Sequence, residues 1–293
     1  MSVPTFSDHR KGLLLTAIGG LALSMDIPLV RLADGDMWSI LGLRSMTTFV
    51  VTLLILVAIR VIRGKWPVLV PGRPGMAAAF LYGLSSITFV LAVFNTPTAN
   101  VVFIVAFNPM FGALLSWIFL KERPSVATLL AMTAMVLGVG LIVQDGISSG
   151  HVFGDLMALV SALILAAAIT VGRASRRDMG FVPLLAAIFP AILGFGLMLP
   201  AGLAISHPIW IIFNGAVMMP VAFWCLATGP RYLSAPEVGM FYLLETVLAP
   251  IWVWFIFAET PKPATLVGGS ILIGAIMAHS LWMARGSRQR AAQ

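Results

Sequence analysis

The feature that most restricts this chain is a rhythm of length. Apolar stretches of about 18 to 22 residues follow one another from residue 12 to residue 284. Only short polar breaks part them, among them ADGD, NTPT, KERPS, RASRRDMG and ETPKP. A helix needs about 20 apolar residues to cross a hydrocarbon core about 30 Å thick. Inside lipid every backbone polar group must be satisfied within the structure, so spanning segments are helices or closed barrels. A barrel would show alternating strands of about ten residues, and the chain has none of that alternation. It is expected to be an all-α membrane protein. Composition agrees: 10% of residues are charged, against about 25% in soluble domains.

Ten spans are expected, at 12–33, 37–59, 74–94, 98–120, 124–144, 154–174, 181–201, 208–229, 235–258 and 263–284. The polar, basic start MSVPTFSDHRK precedes an apolar stretch too long for a signal peptide, with no A-x-A-like site to close it. That stretch is read as the first span, retained. Of the 18 Lys and Arg residues, all but Arg31, Arg44 and Lys262 fall on the N-terminal side of the membrane. The positive-inside rule then puts both termini inside. The net charge of +7 follows from this bias. No exposed basic domain is left over to bind nucleic acid.

Metal and cofactor chemistry is not expected. Cys225 is the single cysteine, and histidines at 9, 151, 207 and 279 are scattered without ligand spacing. No HExxH, Walker-type loop or GxGxxG fingerprint is present.

The chain writes one phrase twice. WIFLKERPSVATL from Trp117 and WFIFAETPKPATL from Trp254 agree at six of thirteen positions at an offset of 137. At an offset of 142, Gly12, Leu14, Ile27 and Arg31 meet Gly154, Leu156, Ile169 and Arg173. Two units of five spans result, at 12–145 and 154–286. Five is odd, so the second unit starts on the opposite side of the membrane and the repeats are inverted. Inverted repeats are an architecture of secondary transporters, with the substrate site near the midplane where the repeats meet.

NPMFGALLSWIFLKERPS and LETVLAPIWVWFIFAETPKP, with Arg44 in the second span, resemble the drug/metabolite transporter superfamily. More narrowly the chain is similar to the EamA family of bacterial metabolite exporters, along nearly its whole length. Within that family it looks most like the aromatic amino-acid exporters. The resemblance implies a multi-pass protein of the bacterial inner membrane, with a small amphipathic metabolite as partner besides the lipid bilayer. One departure stands out. Many relatives carry Glu-Pro where the two repeats here read Asn108-Pro109 and Glu245-Thr246, which implies a different local bend in the two halves.

Candidate substrate-binding residues follow from depth. Asn100 and Asn108, eight apart, share a helix face, as do Glu237 and Glu245 in the ninth span. Asn108 and Glu245 lie about ten residues into their spans, roughly 15 Å deep. A carboxyl there is expensive and suggests function. Glu245 would bind a substrate ammonium group, hold a proton, or only bond between helices. Asp26 and Arg44 each lie roughly 10 Å below the outer surface and can pair. Arg44 would then receive a substrate carboxylate, or the pair is structural. Pro28 is expected to kink the first span near Asp26.

Tyr82, Phe107, Phe111, Phe241, Tyr242 and Trp224 are candidate pocket walls for a flat apolar side chain or an organic cation. Glu122 and Glu259, beside Pro124 and Pro261, are expected to organise turns. Gly138, Gly140, Gly268 and Gly269 suit close helix packing, and His279 a packing or hydrogen-bonding role. The leading reading is export of aromatic and other apolar amino acids by alternating access. Efflux of cationic drugs is the alternative within the class. An intramembrane enzyme or a receptor or scaffold is the alternative outside it; the enzyme would need a nucleophile–base pair that His279 does not obviously find.

Overall fold

The computed structural model describes residues 6–175, 177, 179–200, 202–228, 232–233 and 235–291, and the side chains at 6–9, 148, 227, 235–240, 242–243 and 283–291 fall outside that description. The basic side chains counted at Arg176, Arg231, Arg285, Arg288 and Arg290 therefore lie outside it.

The chain is a bundle of helices. In order they are α1 (Phe6–Ser24), α2 (Asp26–Leu32), α3 (Met37–Arg63), α4 (Gly72–Asn95), α5 (Thr98–Val105), α6 (Asn108–Leu120) and α7 (Val126–Ser149). Then follow α8 (Val152–Ser175), α9 (Val182–Leu185), α10 (Ile188–Met198), α11 (Pro208–Phe213), a π turn (Asn214–Met218), α12 (Met219–Thr228), α13 (Ala235–Phe257) and α14 (Pro263–Ala291). Local chemistry marks the ends. Asp36 accepts hydrogen bonds from the Trp38 and Ser39 amides to open α3, and Gly64, in the left-handed region, closes it. Ser125 caps α7 through the Thr128 amide.

Eight segments are long and apolar enough to cross a membrane, and two further apolar stretches, Val182–Met198 and Leu244–Phe257, are shorter. Large apolar side chains face outward along them: Leu54, Leu137, Val61 and Phe255 are all more than 60% exposed. Such faces suit lipid rather than water.

Four of the expected spans are not single helices. The first breaks at Met25, between α1 and α2. Pro28 has no N–H to give the Ser24 carbonyl, so the ladder cannot run through. The fourth breaks at Ala106–Phe107, where Pro109 likewise cannot bond the Val105 carbonyl, while α13 runs unbroken past Thr246. The bend thus differs between the halves, as the Asn-Pro and Glu-Thr pairs implied. The seventh breaks at Ala186–Ala187, and the eighth carries the π turn.

Helix neighbours follow a pattern. α4 packs on α8, α7 on α14, α3 on α10, α1 on α12 and α13, α5 and α6 on α8, and α5 on α13. In terms of the ten expected segments, the third meets the sixth as the eighth meets the first. The fourth meets the sixth as the ninth meets the first. The main core lies among these helices, around Ile27, Phe103, Ile104, Met135, Ile142, Ile211 and Leu272.

Small and polar residues set the closest crossings, as expected where lipid removes any hydrophobic drive between helices. Ser85 on α4 and Ser161 on α8 each donate to the other's carbonyl, at 3.1 and 3.0 Å. At the crossing of α7 and α14, a Cβ on Gly268 would sit 2.5 Å from the Gly138 carbonyl oxygen, and one on Gly138 would sit 2.8 Å from that of Gly268. Gly140 faces open space instead. His279 bonds Thr128 at 3.0 Å across the same interface. Gly268→Val is therefore expected to destabilise the protein by about 1–3 kcal/mol, measured as a lower thermal midpoint in detergent, whereas Gly140→Ala leaves it unchanged.

Candidate functional site

The break at Met25 lets α2 begin with Asp26, 4% exposed, beside Arg44 of α3, 7% exposed. The Arg44 Nη2 donates to Asp26 Oδ2 at 2.7 Å. Its Nε donates to Asn214 Oδ1 at 3.2 Å. The Asn214 amide in turn donates to Asp26 Oδ1 at 2.8 Å and to the Asp26 carbonyl at 3.1 Å. Three side chains from α2, α3 and the π turn thus close a triangle. The Arg44 Nη1 donates to Ser86 Oγ at 3.4 Å and its Nη2 also to Met219 Sδ at 3.3 Å. The π turn comes close because Gly215 has no Cβ: one would sit 2.4 Å from the Arg44 carbonyl. Extra residues in a helical turn often mark functional places.

Asp26 and Arg44 therefore do pair, and Arg44 is enclosed. Glu245 is different. It is half-buried on α13, and among the described residues its carboxyl has no hydrogen-bond partner. The charges of both Asp26 and Arg44 act on it. Trp252, farther along α13, donates its indole N–H to Ser24 at 3.1 Å, next to the Met25 break. The side chains of Glu237 and Tyr242 lie outside the described residues.

The asparagines of the fourth segment take another direction. Both turn toward α8, two turns apart. Asn108 donates to the Ala162 carbonyl at 2.9 Å. Asn100, 2% exposed, donates to Asp155 Oδ1 at 3.2 Å and accepts from Thr265 at 2.9 Å. Asn100 thus ties helices together instead of facing a hollow. Phe107 and Phe111 meet edge to face with centroids 4.9 Å apart within the main core. Tyr82 packs with Ala78, Ala79, Val182 and Ala186. Phe241 is half-buried on α13. Trp224, on α12, is 56% exposed.

Glu122 and Glu259 are corrected. They do not organise their own turns. Glu259 pairs with Arg31 and accepts from the Thr98 amide at 3.2 Å, which caps α5 from the loop between α13 and α14. Glu122 pairs with Arg173 at 2.8 Å. The residue before each glutamate, Lys121 or Ala258, has a left-handed φ of 58° or 53°. That turns the chain so the glutamate points back across the bundle.

Two residues escaped the sequence reading. Asn214 was passed over as one polar residue in IIFNGAVMM, and only its own polarity inside a span marked it. Asp155 is 0% exposed. Its Oδ1 takes Thr96 at 2.6 Å and Asn100, while Oδ2 finds no partner among the described residues. Also among the described residues, no group of three His, Cys, Asp or Glu converges to hold a metal.

Comparison with known proteins now decides the family. The sequence profile of the EamA-like transporter family matches residues 10–144 and again 152–281. The chain belongs to the EamA-like transporter family. An uncharacterized transporter of Archaeoglobus fulgidus is 24% identical over 71% of this chain and 76% of its own. The uncharacterized transporter YdfC of Bacillus subtilis is 25% identical over 70% of this chain and 72% of its own. One solved crystal structure of a protein superposes with a TM-score of 0.63 at 18% identity, covering 94% of this chain and 99% of that one. At that identity the likeness speaks for the fold alone. This EamA-like chain is a multi-pass membrane transporter.

The triangle makes a stability prediction. Asp26→Asn or Arg44→Gln alone leaves a buried charge unpaired and is expected to cost about 3–5 kcal/mol. The double exchange Asp26→Leu with Arg44→Met is expected to cost less than either. Thermal unfolding of the purified variants in detergent checks this.

Proposed function

We propose that this chain is a secondary transporter that carries small amphipathic solutes bearing a positively charged amine out of the cell by alternating access. Ten crossings form two inverted five-helix units, 12–145 and 154–286, in a bacterial inner membrane with both termini inside. Three observations support this architecture: the phrase written twice, the double match to one family, and a neighbour map that keeps its form when the first five segments exchange with the last five.

One observation carries the substrate reading. The Glu245 carboxyl is half-buried, within the field of the Arg44–Asp26 pair, and without a partner among the described residues. A carboxyl so placed in an apolar helix is a natural seat for an ammonium group. Aromatic and other apolar amino acids are the first class to test, because they combine that group with an apolar side chain. Substrate binds beside Glu245 between the fourth and ninth segments, and the halves rock to open outward.

A second reading, efflux of organic cations, gains from the enclosure of Arg44. With Asp26 and Asn214 holding its guanidinium, Arg44 is not open to a substrate carboxylate. The accessible charge is then a carboxyl, which suits a cation better than a zwitterion.

Purified protein in sealed vesicles separates these. Labelled tryptophan, phenylalanine, threonine and an aromatic quaternary ammonium cation are offered in turn. Flux of the amino acids above that in empty vesicles supports the first reading, and flux of the cation alone supports the second. No flux of any probe overturns both. Glu245→Gln is expected to lower amine-bearing flux about tenfold or more, the loss of one charge-assisted hydrogen bond. Retained flux that no longer responds to a proton gradient would instead give Glu245 the coupling proton, and unchanged flux with unchanged gradient response would reduce it to packing.

A further inference from the structure

The two ion pairs Arg31–Glu259 and Arg173–Glu122 are copies of one another. Glu122 and Glu259 are related by the offset of 137, and Arg31 and Arg173 by the offset of 142. Lys121 and Ala258, which aim the two glutamates, are also related by 137 and share the left-handed conformation. Each arginine sits in the last turn of its helix, where a cation is favoured. Each pair joins one half of the chain to the other: Arg31 and Glu122 belong to the first, Glu259 and Arg173 to the second.

The pairs also border separate hollows. A recess of about 230 Å³ is lined by Arg31, Asp34, Gly35 and Phe94 among others. Another of about 320 Å³ is lined by Leu120, Glu122, Arg173 and Ala174. With an odd number of crossings between Arg31 and Arg173, the two recesses open on opposite faces of the membrane.

We propose that these pairs are reciprocal latches. Arg31–Glu259 holds the outer mouth shut and Arg173–Glu122 the inner mouth, and each transport cycle breaks them in turn. Their surroundings suit the task. Both are partly exposed, so parting them leaves each charge in water rather than in lipid. They are also unequal. The outer pair is 32% and 27% exposed, the inner 54% and 54%. The outer arginine is further held by Thr98 at 3.1 Å and by the Phe257 ring at 5.4 Å, while the inner one has Ser116 at 3.0 Å. The inner latch is the readier to open in this conformation. The inference rests on the alternating-access part of the transporter reading and not on its substrate.

Two cysteine reporters test it, Phe94→Cys in the outer recess and Leu120→Cys in the inner, each in a Cys225→Ala background. The readout is the alkylation rate by a membrane-impermeant maleimide in right-side-out and inside-out vesicles. Glu259→Gln is expected to speed outer labelling about threefold and slow inner labelling, the shift that loss of one exposed pair brings. Glu122→Gln does the reverse. The charge exchange Glu122→Arg with Arg173→Glu restores the original rates, which shows that the variants fold and that pairing is what matters. If both reporters move together, if neither moves, or if the exchange fails to restore them, the latches are refuted. Reciprocal labelling with no flux of any probe keeps the latches and discards the substrate reading. Normal flux with unmoved reporters does the opposite.

Discussion

An arginine buried in a bilayer is the constraint around which the middle of this molecule is built. The effective penalty for removing such a charge from water is several kcal/mol. Arg44 is tolerated because Asp26 and Asn214 together satisfy it, with Ser86 and Met219 completing the shell. Each partner needs an irregular backbone to reach it. Asp26 is delivered by the break at Met25, and Asn214 by the π turn. Two departures from regular helix, far apart in the chain, thus meet at one guanidinium. Lipid tolerates such departures only where they are buried in protein or line a cavity.

The other ion pairs obey the opposite economy. Asp26 and Arg44 lie within one half of the chain and are nearly sealed from solvent. Arg31–Glu259 and Arg173–Glu122, between the halves, are open to solvent by about a third to a half, and such pairs are worth about 0–1 kcal/mol. The buried Asp26–Arg44 ion pair stays within one half, though Asn214 of the other half bonds both of its members.

Much of this was legible in residue order. Counting about seven residues from each span end put Asp26 and Arg44 at one depth, and they pair. Asn108-Pro109 against Glu245-Thr246 implied only a different bend in the two halves, and it is the fourth segment that breaks. Asn100 and Asn108 were rightly given a common side, but order along one helix does not say which neighbour that side meets, and the neighbour is α8. Glu122 and Glu259 were misread because their local companions are prolines, whereas their partners lie 51 and 228 residues away. Asp155 looked like an ordinary acid at the start of a span. Nothing nearby in the sequence announces that Thr96 and Asn100 hold it.

The broken fourth segment and the unbroken ninth have a further meaning. A hinge at Ala106–Phe107 with none at the matching place in the second copy makes the two arms mechanically unlike. In the alternating-access cycle proposed for this chain, the steps that expose one side and the other would then cross barriers of different height. Such a difference sets how long each posture lasts, yet it cannot choose the sense of net flow, since both steps belong to one closed loop of states. Direction must come from the solute or ion gradient the membrane supplies.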